Sequence, residues 1–345
     1  MNNSFVSGLK EYREIIDDFI NGQKLMNIIA VNNKFEHMKK YLTAFQNFSM
    51  CGKRIRAYLV KLGYEMCGGE NIDDIILPSL SYEMFQSGVL IQDDVIDKSE
   101  IRRNRPTMHV LLGNNHSAVS KSICMGDMGL LIAIDMILLS SFDPIIIEKA
   151  VKHQSKVFQY TVCGELKDIE LSNCSYYDLE DIIEMYRLKT SWYTITGPLQ
   201  LGAILINADE KKLGEIEEIG NDMGIAFQIK DDILGVFGEE KIVGKSILSD
   251  MLEGKRTVLT KHFIENANES QIEKFNSIYG NNESNEQDLE CLKEMFTETK
   301  SYDFAKTLCS KYTENIKNKI LTLDIKKKYK DILSDLCYYL CERNL

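Results

Sequence analysis

Apolar residues recur every three or four positions through most of the chain, as in Val60, Tyr64 and Cys67 and again in Ile216, Ile219, Met223, Ala226 and Phe227. This spacing predicts amphipathic helices, because positions three and four apart share one helix face. Strand-like alternation is hard to find. The polar breaks between helical runs are short, except from about Asn266 to Gln287, where Asn281, Asn282, Glu283, Ser284 and Asn285 read as a solvated connection. No shift in composition marks a domain boundary, and no fixed-period repeat is present. The pattern therefore predicts an all-α chain forming a single large helical domain over residues 1–345.

Composition narrows this further. Four prolines and 21 glycines in 345 residues are too few for the frequent turns of an all-β sandwich, and 44% hydrophobic positions are enough for a full core. A formal charge of −11, from 41 Lys plus Arg against 52 Asp plus Glu, argues against a broad grip on nucleic acid, so any basic site must be local. The most apolar stretch, Met128 to Ile147, is broken by Asp135, Ser140, Ser141 and Asp143, and no membrane span is expected. The start MNNSFVSGLKEYREII lacks the basic opening, apolar stretch and cleavage site of an export signal, and the nine cysteines show no paired spacing. Reduced thiols and a cytoplasmic location are the expectation.

Three charged clusters carry candidate chemistry. In LSYEMFQSGVLIQDDVID, Asp93 and Asp97 are four apart on a helix and project on one face, about 6 Å from each other along the axis. Carboxylates this close are either fully solvated or share a cation, and hard oxygen ligands of this kind suit magnesium that also holds substrate phosphates. Arg102, Arg103, Arg105, Thr107 and His109 follow, donors suited to phosphate oxygens. A second acidic pair, Asp231 and Asp232, again ends an apolar run and precedes Lys245, Asp250, Lys255 and Arg256. It reads either as a second metal-and-phosphate half-site or as a salt-bridged helix end. In GKRIRAYL, Lys53, Arg54 and Arg56 stand at a predicted helix beginning, against the dipole preference, which hints at a bound anion.

Taken together these elements resemble the trans-isoprenyl diphosphate synthases, or polyprenyl synthetases, from roughly Met50 to Arg343. The basic element is Gly52-Lys53-Arg54-Ile55-Arg56, and the first aspartate-rich motif is Asp93, Asp94 and Asp97, followed by Arg102-Arg103-Asn104-Arg105-Pro106. Then come Gly126-Asp127, Gly164-Glu165-Leu166-Lys167-Asp168, Lys189-Thr190, Phe227-Gln228 before Asp231-Asp232, and Gly244-Lys245, Asp250 and Lys255. The resemblance implies a helical isoprenoid-synthase fold with a deep central cavity and three magnesium ions bridging the two aspartate-rich motifs to an allylic diphosphate. It places two ions on Asp93 and Asp97 and the third on Asp231. It puts Arg102, Lys189 and Lys245 on the allylic diphosphate, with Lys255 close by. Lys53, Arg56, Gln86 and Arg103 would hold isopentenyl diphosphate, while Thr190 and Gln228 would lie beside the reacting carbons. A homodimer is implied as well, and His109 reads as a structural donor.

This sequence departs from the family pattern at Gly235, where many members carry a third aspartate, at Cys51 and Ala57 around the basic element, and at Glu165, where Gln is common. Product length is expected to follow a helical face running through Asp93, Val89, Phe85 and Tyr82, with Gly88 beside them. At 1.5 Å per residue, Gly88 lies about 7 Å, Phe85 about 12 Å and Tyr82 about 16 Å below Asp93. The resemblance implies that an aromatic residue at position 88 would close the cavity early, so glycine there is expected to open the first floor, with Phe85 as the next plug, favouring geranylgeranyl diphosphate. Two alternatives remain open: a class I terpene cyclase, which needs no second basic pocket, and a non-catalytic subunit of a heteromeric synthase, which should have lost first-motif aspartates.

Overall fold

The computed structural model describes residues 4–29, 38–174, 176–238 and 248–341. In chain order the first helices are α1 (Ser4–Asn21), α2 (Gln23–Ile29), α3 (Lys39–Ser49), α4 (Ile55–Met66), α5 (Ile76–Ile96), α6 (Met108–Leu111), α7 (His116–Leu138) and α8 (Pro144–Asn173). There follow α9 (Leu179–Tyr186), a π-helical segment (Arg187–Thr196), α10 (Gly197–Leu205), α11 (Glu210–Phe237), α12 (Ser249–Leu252) and α13 (Val258–Asn266). The last are α14 (Glu269–Ile278), α15 (Glu286–Glu298), α16 (Ser301–Thr322) and α17 (Lys327–Cys341). Among the described residues the only strands are β1 (Ile101–Arg102) and β2 (Arg105–Pro106), so the all-α expectation holds.

Contacts divide the chain into two compact units, Met1–Lys156 with Gly197–Gly214, and Val157–Thr196 with Glu215–Leu345. In the first unit α5 is the central helix, packed against α4 and α7, and buried on nearly every side from Pro78 to Phe85. A helix with apolar residues all round is stable only when enclosed in this way. α1 shows the opposite pattern: only the Phe5, Leu9, Tyr12, Ile16 and Ile20 stripe is buried, and the Tyr12 hydroxyl lies 2.8 Å from that of Ser79.

In the second unit, Phe263, Phe275 and Phe296 form an aromatic core, with the Phe263 centroid 4.9 Å from Phe275 and 5.5 Å from Phe296. Phe275 belongs to α14, which lies inside the stretch expected to be a solvated connection. The physical reason is local: Asn268 and Gln271 form a reciprocal cap, and Phe275 and Ile278, three apart, bury one face. Among the described residues no helix is long and apolar enough to cross a membrane.

Candidate functional site

The first acidic motif stands at the carboxyl end of α5. Asp93 is in the last turn, and Asp97 caps the helix with its N–H donated to the Asp93 carbonyl at 2.8 Å. Asp94, one position round the helix, is buried, and burial pushes its carboxyl up to about 6 against the opposing pull of Arg102. The Arg102 guanidinium binds both neighbours, Asp93 at 2.7 Å and Asp94 through Nε.

Arg102 is aimed there by a tight hairpin. β1 pairs antiparallel with β2, Arg102 opposite Arg105, which leaves Arg103 and Asn104 as a two-residue turn with φ of 54° and 59°. Positive φ at both centres is the turn that matches strand twist, and asparagine tolerates it better than most residues, which explains Asn104. Arg103 is thereby placed at the tip. Its guanidinium is lowered from its usual pKa by burial, and also feels Arg56, Arg54 and Arg102, against an opposing influence from Glu83.

The basic element at the start of α4 divides by role. Arg54 is buried, adopts φ 60° as the helix cap, and is held by Asp17 at 2.7 Å and Glu83 at 3.0 Å. Glu83 also accepts the Ala57 N–H at 3.2 Å, so Arg54 and Glu83 fix this helix start. Lys53 is exposed and Arg56 half-buried beside it, while Gln86 lies half-buried one turn beyond Glu83 on α5. A Cβ placed on Gly52 would be 3.3 Å from Arg54 Nη1 and 3.5 Å from Arg103 Nη1, so two guanidiniums converge on that glycine. His109 is buried, with Nδ1 3.3 Å from the Thr107 hydroxyl.

Below Asp93 on α5, Val89 is half-buried, and Phe85 and Tyr82 are fully enclosed. A Cβ on Gly88 would lie 2.7 Å from the Gly126 carbonyl oxygen and 3.3 Å from Gly129 Cα, so the glycine lets α5 and α7 cross at close range. The space a side chain would fill there holds α7 backbone.

The second unit gathers Lys189, Thr190, Gln228, Asp231 and Lys255. Lys189 and Thr190 belong to the π-helical segment, a rare geometry frequently found at functional sites. Two glycines seat this segment: a Cβ on Gly164 would fall 2.2 Å from Lys189 N, and one on Gly224 would fall 2.3 Å from Ser191 Cα. Lys189 Nζ is held by Asp168 at 2.6 Å and Glu165 at 2.9 Å, so glutamate at 165 adds an ion pair that Gln could not make. The Thr190 hydroxyl donates to Gln228 at 2.7 Å, and the Gln228 amide donates to Asp232 at 2.9 Å. Tyr186 completes the chain: its hydroxyl donates to Asp232 and accepts the Val258 N–H at 3.2 Å. Asp232 is buried, and burial pushes its carboxyl up to about 8 in spite of these donors. Asp231 is half-exposed, without an ion-pair partner among the described residues. Lys255 Nζ lies 2.8 Å from Glu253 and 3.6 Å from Asp250. Lys245, assigned to the allylic diphosphate, lies outside the described residues.

The donor set fits magnesium. No group of three metal-ligating side chains is assembled among the described residues, and magnesium is usually held by one or two carboxylates plus substrate phosphates and water. Sequence reasoning missed Tyr186 and Glu83 as organising groups, and named Asp168 only as part of a family element. The only local signal was an apolar neighbourhood around each polar residue.

The match to the model of the polyprenyl synthetase family covers residues 36–296. Similar proteins include the geranylfarnesyl diphosphate synthase of Aeropyrum pernix, 30% identical over 85% of this chain and 90% of its own length. The geranylgeranyl diphosphate synthase of Saccharolobus solfataricus is 29% identical over 82% and 83%. Among solved structures, a geranylgeranyl pyrophosphate synthase from Corynebacterium glutamicum, complexed with isoprenyl diphosphate and magnesium, superposes with a TM-score of 0.89 at 27% identity, covering 99% of this chain and 100% of its own.

Proposed function

The chain belongs to the polyprenyl synthetase family and transfers prenyl groups, and we propose that it adds isopentenyl diphosphate to an allylic diphosphate, head to tail and in trans, to make geranylgeranyl diphosphate. In this reading Asp93 and Asp97 hold two magnesium ions and Asp231 the third, while Arg102, Lys189, Lys245 and Lys255 bind the allylic diphosphate. Magnesium, when bound, supplies Lewis-acid stabilisation of the charge on the leaving diphosphate. The cationic side chains add to this, most strongly where charge develops as the allylic carbon–oxygen bond breaks. Thr190 and Gln228, hydrogen-bonded to one another, offer fixed dipoles to the cationic carbons. The double bond of isopentenyl diphosphate attacks, and the proton lost goes to the departing diphosphate, so no dedicated side-chain base is needed.

The observation that carries elongation over cyclisation is the second basic group, Lys53, Arg56 and Gln86 with Arg103 at the hairpin tip, whose Nη1 lies 3.5 Å from a Cβ placed on Gly52. A cyclase acting on one diphosphate has no use for it. All three first-motif aspartates are present, which disfavours a non-catalytic subunit. Phe85 remains the proposed plug, its ring enclosed two turns below Asp93. A homodimer is supported by the exposed Ile123, Leu131 and Leu138, spaced along one face of α7. Nine cysteines, none of them in a disulfide among the described residues, support a cytoplasmic location. Asp231→Ala tests the metal assignment: turnover at limiting magnesium should fall at least tenfold, about the effect of one lost metal-supporting group. Unchanged turnover would remove Asp231 from the site.

A further inference from the structure

Thr190 and Gln228 end a buried chain of hydrogen bonds that starts at the Val258 N–H and passes through Tyr186 and Asp232. Resting on the function proposed above, we infer that Tyr186 is a positioning residue for that reaction. Through Asp232 it fixes which way round the Gln228 amide stands, and so whether Thr190 turns lone pairs or a proton toward the reacting carbons. Tyr186 and Thr190 are four apart in the chain, as are Gln228 and Asp232 on α11, and the two pairs interlock, Tyr186 on Asp232 and Thr190 on Gln228. Tyr186, Thr190 and Asp232 are buried, so water does not stand in for a missing partner.

The direction of each bond follows from the atoms that make it. A backbone N–H can only donate, and that of Val258 meets the Tyr186 hydroxyl at 3.2 Å, which leaves the hydroxyl's own proton for Asp232 Oδ2. Asp232 Oδ1 accepts from Gln228 Nε2 at 2.9 Å, and two donors, one on each oxygen, suit the ionised acid. The Gln228 nitrogen is thereby committed to Asp232, so the amide oxygen is the end that accepts the Thr190 proton at 2.7 Å. What Thr190 has left to offer is lone pairs. Lone pairs fixed in place favour positive charge developing beside them, whereas a hydroxyl proton would oppose it. With the amide reversed, Gln228 would donate to Thr190 and release that proton. Without the Tyr186 hydroxyl, Asp232 Oδ2 loses its donor in a buried place, and the carboxyl is no longer held with Oδ1 toward Gln228.

A double-variant cycle tests this. The single-turnover rate of isopentenyl diphosphate addition to farnesyl diphosphate with magnesium, and the steady-state KM of each substrate, are measured on the unaltered chain, Tyr186→Phe, Gln228→Ala and the double variant. Melting curves establish folding. Tyr186→Phe should lower the single-turnover rate about tenfold and leave both KM values within about twofold. The double variant should react within about twofold of Gln228→Ala alone, because Tyr186 then has nothing left to orient. Asp232→Asn, which keeps the shape of the acid, supplies the check if Tyr186→Phe does not fold. The Tyr186 proton draws the Asn oxygen, the Asn amide then faces Gln228 and reverses it, and the rate should again fall about tenfold at unchanged KM. An unchanged rate in Tyr186→Phe or Asp232→Asn, KM values that rise as far as the rate falls, or a double variant below Gln228→Ala by the full Tyr186→Phe factor would overturn the inference while leaving the proposed function standing. An unaltered chain that forms no product dependent on isopentenyl diphosphate would overturn both.

Discussion

Within each acidic pair the two carboxylates have separate fates. Asp94 and Asp232 are buried, where Arg102 holds the first and Tyr186 and Gln228 hold the second, while Asp93, bound by the same Arg102, and Asp231 are half-buried. Adjacent helix positions differ by about 100° in direction, so one member of any such pair must point elsewhere. The doublets were legible in the sequence, but their partners were not, because Tyr186 is distant in the chain and stands in an ordinary apolar run. The same split in burial separates Arg54, a buried structural residue, from Lys53 and Arg56. A residue remote from this chemistry gives a pH test. His153 lies with Nε2 3.1 Å from the Gly197 carbonyl, and burial lowers its pKa from 6.5 to about 4, against the pull of that carbonyl. Unfolded, the imidazole takes up a proton as pH falls through 6.5; folded, it resists until about 4. Its contribution to stability is therefore present above 6.5 and lost as pH falls toward 4. Melting temperatures of the unaltered protein should decline more steeply over that interval than those of His153→Gln. Parallel curves would mean that His153 does not govern the acid limb.

At the scale of elements, the long helices followed from period alone, and α5 extends through the whole apolar run before its acidic end. What period could not show were features set by a neighbour's backbone. The hairpin is too short for alternation to register, and its turn depends on φ at Arg103 and Asn104. The π-helical segment depends on Gly164 and Gly224 beneath it, and α14 depends on a cap formed by Asn268 and Gln271. Gly88 shows a demand that period could not reveal: the missing side chain serves a helix crossing with α7. Gly88→Ala should accordingly destabilise the fold by about 1–3 kcal/mol through overpacking, seen as a lower midpoint in a denaturant titration. A midpoint equal to that of the unaltered chain would show that the crossing has slack.

At the scale of the molecule, each compact unit holds one acidic motif together with its own cations: Asp93 and Asp97 with Arg102 and Arg103, and Asp231 with Lys189 and Lys255. The helical class and both motifs were legible because carboxylate and guanidinium chemistry demands particular residue types at short spacing. The support for them was not, since Glu83 acts by fixing Arg54 at the start of another helix and Asp168 by holding Lys189 from a distant one. The central claim is chain elongation, and the most direct test is to incubate the purified protein with magnesium and farnesyl diphosphate, with and without isopentenyl diphosphate, and resolve the products by mass. The account predicts geranylgeranyl diphosphate, formed only when isopentenyl diphosphate is present. Hydrocarbon released from farnesyl diphosphate alone, or no product under either condition, would contradict it.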